Sequence, residues 1–301
     1  MSGTDVIIPT LNAQDKIGPL LDTLARQSVS AKVYVIDSAS SDETAATAQS
    51  HGGRVLVIDR KDFDHGGTRN LASRQTSGEF LLFLTQDALP ASDDYIEKLI
   101  HPLQNPKIGA SFGRQLPRPD ATPPEKFARL FNYPDAPIVK GKEDLPRLGI
   151  KTFFFTNVCS AIKRAVFNEL GGFPERIIMN EDMIFAAKAI LRGYKIAYIA
   201  NACVYHSHNN SLVEQFKRYF DIGVSLYDYK WILDYGNAEG KGAEFLREQL
   251  RYLKKKRSYQ WMPVALGDAF VRYLGFRLGL HNPLLPRSVL SRLSMHSYYW
   301  K

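Results

Sequence analysis

Asp87 is the residue whose position most directly suggests chemistry. It follows the apolar run Phe80-Leu81-Leu82-Phe83-Leu84 and two polar residues, Thr85 and Gln86. In an open parallel sheet, ligands sit outside the carboxyl ends of the strands, so a carboxylate there faces a binding crevice. A hard divalent cation is its commonest partner, and a cation bridging to phosphate implies a nucleotide-dependent enzyme. The competing reading is a turn or helix-cap aspartate. Three further polar clusters end apolar runs in the same way: Pro9-Thr10-Leu11-Asn12, Asp37-Ser38-Ala39-Ser40, and Asp64-His65-Gly66-Gly67-Thr68-Arg69-Asn70. Arg69 adds a permanently charged fork suited to phosphate. Gly66-Gly67 lets backbone approach a ligand closely.

The elements that must position these groups alternate in type. Val6–Ile8, Lys32–Ile36, Val55–Ile58 and Phe80–Leu84 read as strands; Lys16–Gln27 and Ser41–His51 carry helical spacing. That alternation predicts an α/β fold, a parallel sheet wrapped by helices, with the four clusters on one edge. Residues 115–149 hold seven prolines and read as an irregular excursion with a short helix at Glu125–Phe131. Regular pattern returns at Thr152–Ile162, and a helix is expected from Glu181 to Arg192. From Leu212 onward the chain reads helical, interrupted at Gly236–Gly242 and Asn282–Pro286. The expected organisation is a catalytic domain over 1–211, with a nucleotide half over 1–114 and an acceptor half over 150–211, then a helical region over 212–301.

Composition narrows the setting. The 301 residues carry a net charge of +8, and six of the 39 basic residues fall within 247–257. An anionic partner is implied: nucleic acid, a phosphorylated substrate or a membrane leaflet. No apolar run approaches the roughly 20 residues that span a bilayer. The start lacks the pattern of a signal peptide, so a cytoplasmic protein is expected. Cys159 and Cys203 sit in apolar contexts and read as buried free thiols. The segment 259–280 is rich in aromatic and aliphatic side chains and follows the basic tract directly. It suits either a membrane surface or packing on its own domain or on a second subunit of a homodimer.

The run Val6-Ile7-Ile8-Pro9-Thr10-Leu11-Asn12, the Asp37 loop, Arg69-Asn70 and Asp87 resemble the nucleotide-sugar half of family 2 glycosyltransferases, which have the GT-A fold. Asn157–Arg164 and Gly171-Gly172-Phe173-Pro174 resemble the segment before that family's catalytic acid, and Asn180-Glu181-Asp182-Met183 resembles its Glu-Asp motif. Phe63–Asn70, Thr85–Ala88, Tyr205–Leu212, Lys217–Gly223 and Leu293–His296 with Trp300 are similar to bacterial rhamnosyltransferases that use dTDP-L-rhamnose.

The resemblance implies Asp182 as general base, with Glu181 orienting it or the acceptor. It places Pro9, Thr10, Asn12 and Asp37 or Ser38 at the nucleotide, and Asp64 and His65 at the sugar ring or diphosphate. Gln86, Asp87 and Arg69 serve the leaving group, and Asn157 and His208 the acceptor. The wider family shows Asp-X-Asp where this chain has Thr85-Gln86-Asp87, so the cation, Mg²⁺ or Mn²⁺, has one acidic partner fewer. His206 is the expected additional ligand, and imidazole suits Mn²⁺ better than Mg²⁺. The implied reaction is an inverting transfer of rhamnose to a glycan or lipid-linked oligosaccharide for cell-surface polysaccharide. Alternatives are a transferase of another nucleotide sugar, such as a UDP-hexose, and a nucleotidyltransferase. The latter lacks its expected Gly-rich N-terminal loop here. A nucleic-acid-binding protein would leave Asp87, Glu181 and Asp182 unexplained.

Overall fold

A computed structural model describes residues 3–236 and 238–300. Strand β1 (Thr4–Thr10) leads through helix α1 (Gln14–Ala25) to β2 (Lys32–Asp37), and through α2 (Thr44–Ser50) to β3 (Arg54–Val57). Helix α3 (His65–Arg74), β4 (Phe80–Leu84), β5 (Leu89–Pro90), α4 (Tyr95–Ile100) and β6 (Ile108–Leu116) follow. Then come α5 (Pro123–Asn132), β7 (Ile138–Lys140), α6 (Leu145–Leu148), β8 (Cys159–Lys163), α7 (Arg164–Glu169), α8 (Glu181–Leu191) and β9 (Lys195–Tyr205). Helices α9 (Leu212–Tyr227), α10 (Ala238–Lys255), α11 (Met262–Leu280) and α12 (Arg287–Leu293) complete the chain. Among the described residues no strand occurs after β9.

The nine strands form one sheet in the order β3-β2-β1-β4-β8-β6-β9-β5, with β7 also on β9. Strands β1 to β4 pair in parallel; β8 runs antiparallel between β4 and β6, and β6 is parallel to β9. That arrangement decides which residues meet. The carboxyl ends of β1, β2, β4, β6 and β9 share an edge with the amino end of β8. The register sets Leu84 opposite Cys159 and Leu116 opposite Tyr205, so the segments beginning at Thr85 and His206 and the one ending at Val158 emerge on that edge.

The core explains why the first four strands read so clearly. On β4, Leu81 and Phe83 join one apolar cluster while Phe80, Leu82 and Leu84 join another. A strand covered on both faces must be apolar throughout rather than alternating. Strand β1 divides likewise, with Ile7 on one side and Val6 and Ile8 on the other.

Four expectations need correction. The excursion at 115–149 is more ordered than its prolines suggest, because Pro123 and Pro124 open α5, where the missing N–H has no partner to lose. Thr152–Ile162 is not one regular element: a 3-10 turn ends at Phe153 and β8 begins only at Cys159. Of the interruption at Gly236–Gly242, Asn237 lies outside the described residues and α10 runs unbroken from Ala238. Phe245 packs its ring on Phe127 and Phe131 of α5, which anchors that helix despite its glycines. The thiols are free, but only Cys159 is fully buried.

Helices α9 and α11 touch backbone to backbone. A Cβ on Gly275 would collide with the Phe216 carbonyl, on Gly279 with that of Phe220, and on Gly223 with that of Phe276. No helix among the described residues is long and apolar enough to cross a membrane.

Candidate active site

The acid pair opens helix α8. Asn180, just before it, adopts the left-handed conformation at φ 66°, which turns the chain sharply into the helix and sets Glu181 and Asp182 in the first turn. Acids there are favoured by the helix dipole. Both carboxylates are held from β8's side by Asn157, whose Nδ2 donates to Glu181 Oε1 at 3.1 Å and whose backbone N–H donates to Asp182 Oδ2 at 3.1 Å. Asn157, expected at the acceptor, thus hydrogen-bonds both acids.

The two acids are electrostatically unlike. Burial raises the Glu181 carboxyl, but Arg69, with Nη1 3.3 Å from Oε1, and then His65 outweigh it and hold the group below its ordinary value. Burial and then the charge of Glu181 push Asp182 well above the usual carboxylate range. Two neighbouring carboxylates driven apart in this way assign the ionised role to Glu181 and leave Asp182 poised to take a proton near neutrality. Arg69, read as a phosphate grip, is instead buried here. Its Nη1 also donates to the His65 carbonyl at 2.7 Å, and its Nε has no partner.

The second group converges at the ends of β4 and β9. Asp87, His206 and His208 bring one ligand atom each to within 4.8 Å of one another. His206 Nε2 is 3.5 Å from Asp87 Oδ1, His208 Nε2 is 3.3 Å from Oδ2, and the two Nε2 atoms are 3.0 Å apart. His208, expected at the acceptor, belongs with the candidate metal ligands. Desolvation lowers both imidazoles, His208 to about 4, so both are neutral at physiological pH. Burial alone would raise the Asp87 carboxyl, but the two imidazoles, protonated at the low pH where that group titrates, more than offset it and hold it well below its ordinary value.

Gln115, which no sequence signal marks, sets the tautomer. Its Nε2 donates to the Tyr133 hydroxyl at 2.7 Å, and its Oε1 accepts from Arg129 and lies 2.9 Å from His206 Nδ1. Arginine can only donate, so that atom is the oxygen, and His206 Nδ1 must carry the proton. The Nε2 lone pair then points at the Asp87 carboxylate. Acceptors facing each other are repulsive unless a cation lies between them, and a ligating histidine fixed from behind is the usual metal geometry. The donor set therefore fits a divalent ion. Arg118, also unmarked in the sequence, donates from Nη2 to the Asp87 carbonyl at 2.7 Å. The two groups are neighbours: the Thr85 N–H donates to the Val158 carbonyl, next to Asn157.

The remaining predicted residues mostly build the edge itself. Asp37 accepts from Thr10 Oγ1 at 3.1 Å and from the Ser40 N–H at 2.9 Å, so its carboxylate is committed to the loop. Buried Ser38 keeps an unpartnered hydroxyl. Asn12, at φ 47°, accepts from the Ser41 N–H; Gln86 clasps Leu11, accepting from its N–H at 2.8 Å and donating to its carbonyl at 3.2 Å. Pro9 sits in β1 opposite Ile36. Asp64, expected at sugar or diphosphate, is a structural clamp. It caps α3 through the Gly67 N–H at 2.5 Å and takes the Arg176 and Ile177 N–H groups at 3.1 Å each. His65 Nε2 is buried without a partner, and burial lowers the ring's pKa to about 4.

The family model for glycosyl transferase family 2 matches residues 5–171, more than half of the chain. The chain belongs to glycosyl transferase family 2. This family 2 chain is 46% identical over 299 residues to the O-antigen chain rhamnosyltransferase RfbN of Salmonella typhimurium, covering 98% of this chain and 95% of the relative. It is 43% identical over 272 residues to O-antigen chain rhamnosyltransferase WbaN of Salmonella anatum, covering 89% and 86%. Its fold is GT-A. The mannosyltransferase PcManGT of Pyrobaculum calidifontis, solved with GDP-Man and Mn²⁺, matches with a TM-score of 0.62 at 18% identity over 91% of this chain and 87% of that one.

Proposed function

We propose that this enzyme transfers L-rhamnose from dTDP-β-L-rhamnose, with inversion, to a hydroxyl of a lipid-linked glycan during O-antigen assembly. The carrying observation is the 46% identity to an O-antigen rhamnosyltransferase along nearly the whole chain. In this reading Asp182 takes the proton of the acceptor hydroxyl as that oxygen attacks the anomeric carbon from the face opposite the leaving group. Glu181, held ionised by Arg69 and oriented by Asn157, keeps Asp182 basic and orients the acceptor. Asp87, His206 and His208 would hold Mg²⁺ or Mn²⁺, with two imidazoles favouring Mn²⁺. When bound, the cation supplies charge stabilisation for the departing diphosphate. Ser38, Thr10 and Asn12 line the nucleotide end, and the product is an α-L-rhamnoside. Residues 1–211 form the catalytic unit, and 212–301 a helical region that completes it.

The same reading places the protein at the inner membrane surface. Leu266, Phe270, Tyr273 and Leu274 of α11 are exposed, at spacings of four, seven and eight residues from the first. Lys254-Lys255-Lys256-Arg257 precede that helix closely. An apolar stripe beside basic residues suits an anionic leaflet, where the acceptor lipid would reside.

The deciding experiment is a donor-hydrolysis screen over dTDP-L-rhamnose and common UDP- and GDP-sugars, with and without Mn²⁺. Turnover of dTDP-L-rhamnose is expected. Turnover of a UDP-hexose instead would sink the donor assignment.

A further inference from the structure

The segment after α12 folds back onto the entrance of α3, where it closes a ring of four side chains. Phe63 meets His65 at 5.1 Å and 75°, and His65 meets His296 at 5.1 Å and 78°. His296 meets Tyr298 at 5.5 Å and 71°, and Tyr298 returns to Phe63 at 6.2 Å and 72°. All four contacts are edge-to-face, the arrangement aromatic quadrupoles prefer. The Tyr298 hydroxyl also lies 3.3 Å from His296 Nδ1.

The segment is fastened on two sides. Asp221, fully buried on α9, accepts the Met295 N–H at 2.9 Å, and the Tyr299 hydroxyl donates to the Arg176 carbonyl at 3.0 Å. Arg176 is itself held by Asp64, which caps the helix that His65 begins. The tail, the clamp loop and the start of α3 are therefore one hydrogen-bonded unit.

His65, inside that unit, is one of the unsatisfied buried polar side chains. His65 Nε2, Arg69 Nε and Asn180 Nδ2 are all buried and unpartnered; Arg69 pairs with Glu181, Asn180 precedes it in the chain, and the His65 carbonyl accepts from Arg69. Such groups are costly to leave unpaired and are ordinarily satisfied by something that binds. His65 is also within electrostatic reach of Glu181 and Arg69. A pyranose offers what these atoms lack: vicinal hydroxyls, with C–H faces that suit aromatic edges.

We propose that His65 Nε2 hydrogen-bonds a hydroxyl of the transferred sugar, and that His296, from the C-terminal segment, is the positioning residue that holds the His65 ring for this contact. The C-terminal segment is thus a wall of the donor-sugar site. The inference rests on the sugar-nucleotide reading of the site but not on which sugar is transferred.

The test compares affinity for dTDP-L-rhamnose with that for dTDP, by calorimetry on the full chain. If the wild type hydrolyses another nucleotide sugar, that compound and its nucleotide replace the pair, so an error in the donor assignment shows in the wild type alone. The readout is the ratio of the two affinities, which a merely structural role would leave unchanged. H65F, which keeps a ring and removes Nε2, is expected to lose about 5- to 10-fold of the sugar's contribution while binding nucleotide normally. H296A should lose part of the same ratio, and H296F, which preserves the edge contact, should retain it. Thermal melting checks folding; if H65F does not fold, H65N takes its place. An unchanged ratio in the His65 variant overturns the contact. A reduced ratio there with a wild-type ratio in H296A overturns the role of the tail. Equal weakening of nucleotide and nucleotide sugar overturns both.

Discussion

Arg69 Nη1 stands 3.3 Å from Glu181 Oε1, and both side chains are only 6% exposed. Removing one partner of a buried ion pair leaves the other charge uncompensated. Arg69→Met is therefore expected to lose about 3–5 kcal/mol of stability in chemical denaturation. The double variant with Glu181→Gln should regain a large part of that loss. Wild-type stability in R69M alone would show that the pair does not hold the site together.

Asp182 should govern the acid side of the pH–rate profile. Its carboxyl is raised by burial and then by Glu181, and only the deprotonated form can accept a proton. Activity should fall as pH drops through a value well above the ordinary carboxylate range, and Glu181→Gln should move that limb to lower pH. Asp182→Asn should reduce transfer by about 10²- to 10⁴-fold while donor binding persists.

The raised group also has a stability consequence with a definite sign. Its folded pKa exceeds its unfolded one, so the native state binds the extra proton and stability falls as pH rises through that window. D182N should melt above the wild type at pH 8, with the difference vanishing near pH 4. A lower melting point for D182N at pH 8 would contradict the assignment.

The candidate metal ligands make a prediction readable without turnover. Titration of Mn²⁺ followed by electron paramagnetic resonance should show binding abolished in Asp87→Asn. Gln115→Ala, which frees the His206 tautomer, should weaken it by about 10- to 100-fold. Equal affinity in Q115A and wild type would mean the glutamine serves packing only.

Glycines of the helical region should respond with opposite signs. Gly279→Ala drives a methyl into the Phe220 carbonyl and should destabilise by about 1–3 kcal/mol in thermal melting. Gly242→Ala meets nothing within 4 Å within α10 and should stabilise by about 0.5–1 kcal/mol.

The exposed stripe of α11 can be tested with vesicles. The protein should co-sediment with vesicles containing phosphatidylglycerol and not with purely phosphatidylcholine ones. Phe270→Glu with Tyr273→Glu should release it. Concentration-dependent dimers that these substitutions dissolve, with no vesicle binding, would assign the stripe to a second copy.

Much of this site was readable because the first four strands are apolar runs that end abruptly in polar loops. Asp87 stood out for that reason, and so did the pair opening α8. Strands β6 and β9 were harder, since Gly109, Ala110, Ser111 and Gly113 in one and Ala197, Ala200 and Ala202 in the other blur any alternation. With β6 unseen, Gln115 had no reason to attract notice. The hydrogen bonds of Asp64 and Asn157 are not legible in the sequence, which shows that a polar group is present and not which partner it faces. His65 and His296 meet only in the folded chain, across almost its whole length.

The three glycines that let α9 and α11 touch also have a mechanical meaning. Where these glycines meet the facing backbone, no side chain cushions the two helices against a push or tilt. Helix α11 presents the outward apolar stripe, and α9 carries Asp221, which grips the C-terminal tail. Three hydrogen atoms in place of methyl groups thus make a stiff outrigger, one that would set the height and attitude of the reaction centre above any surface on which α11 rests.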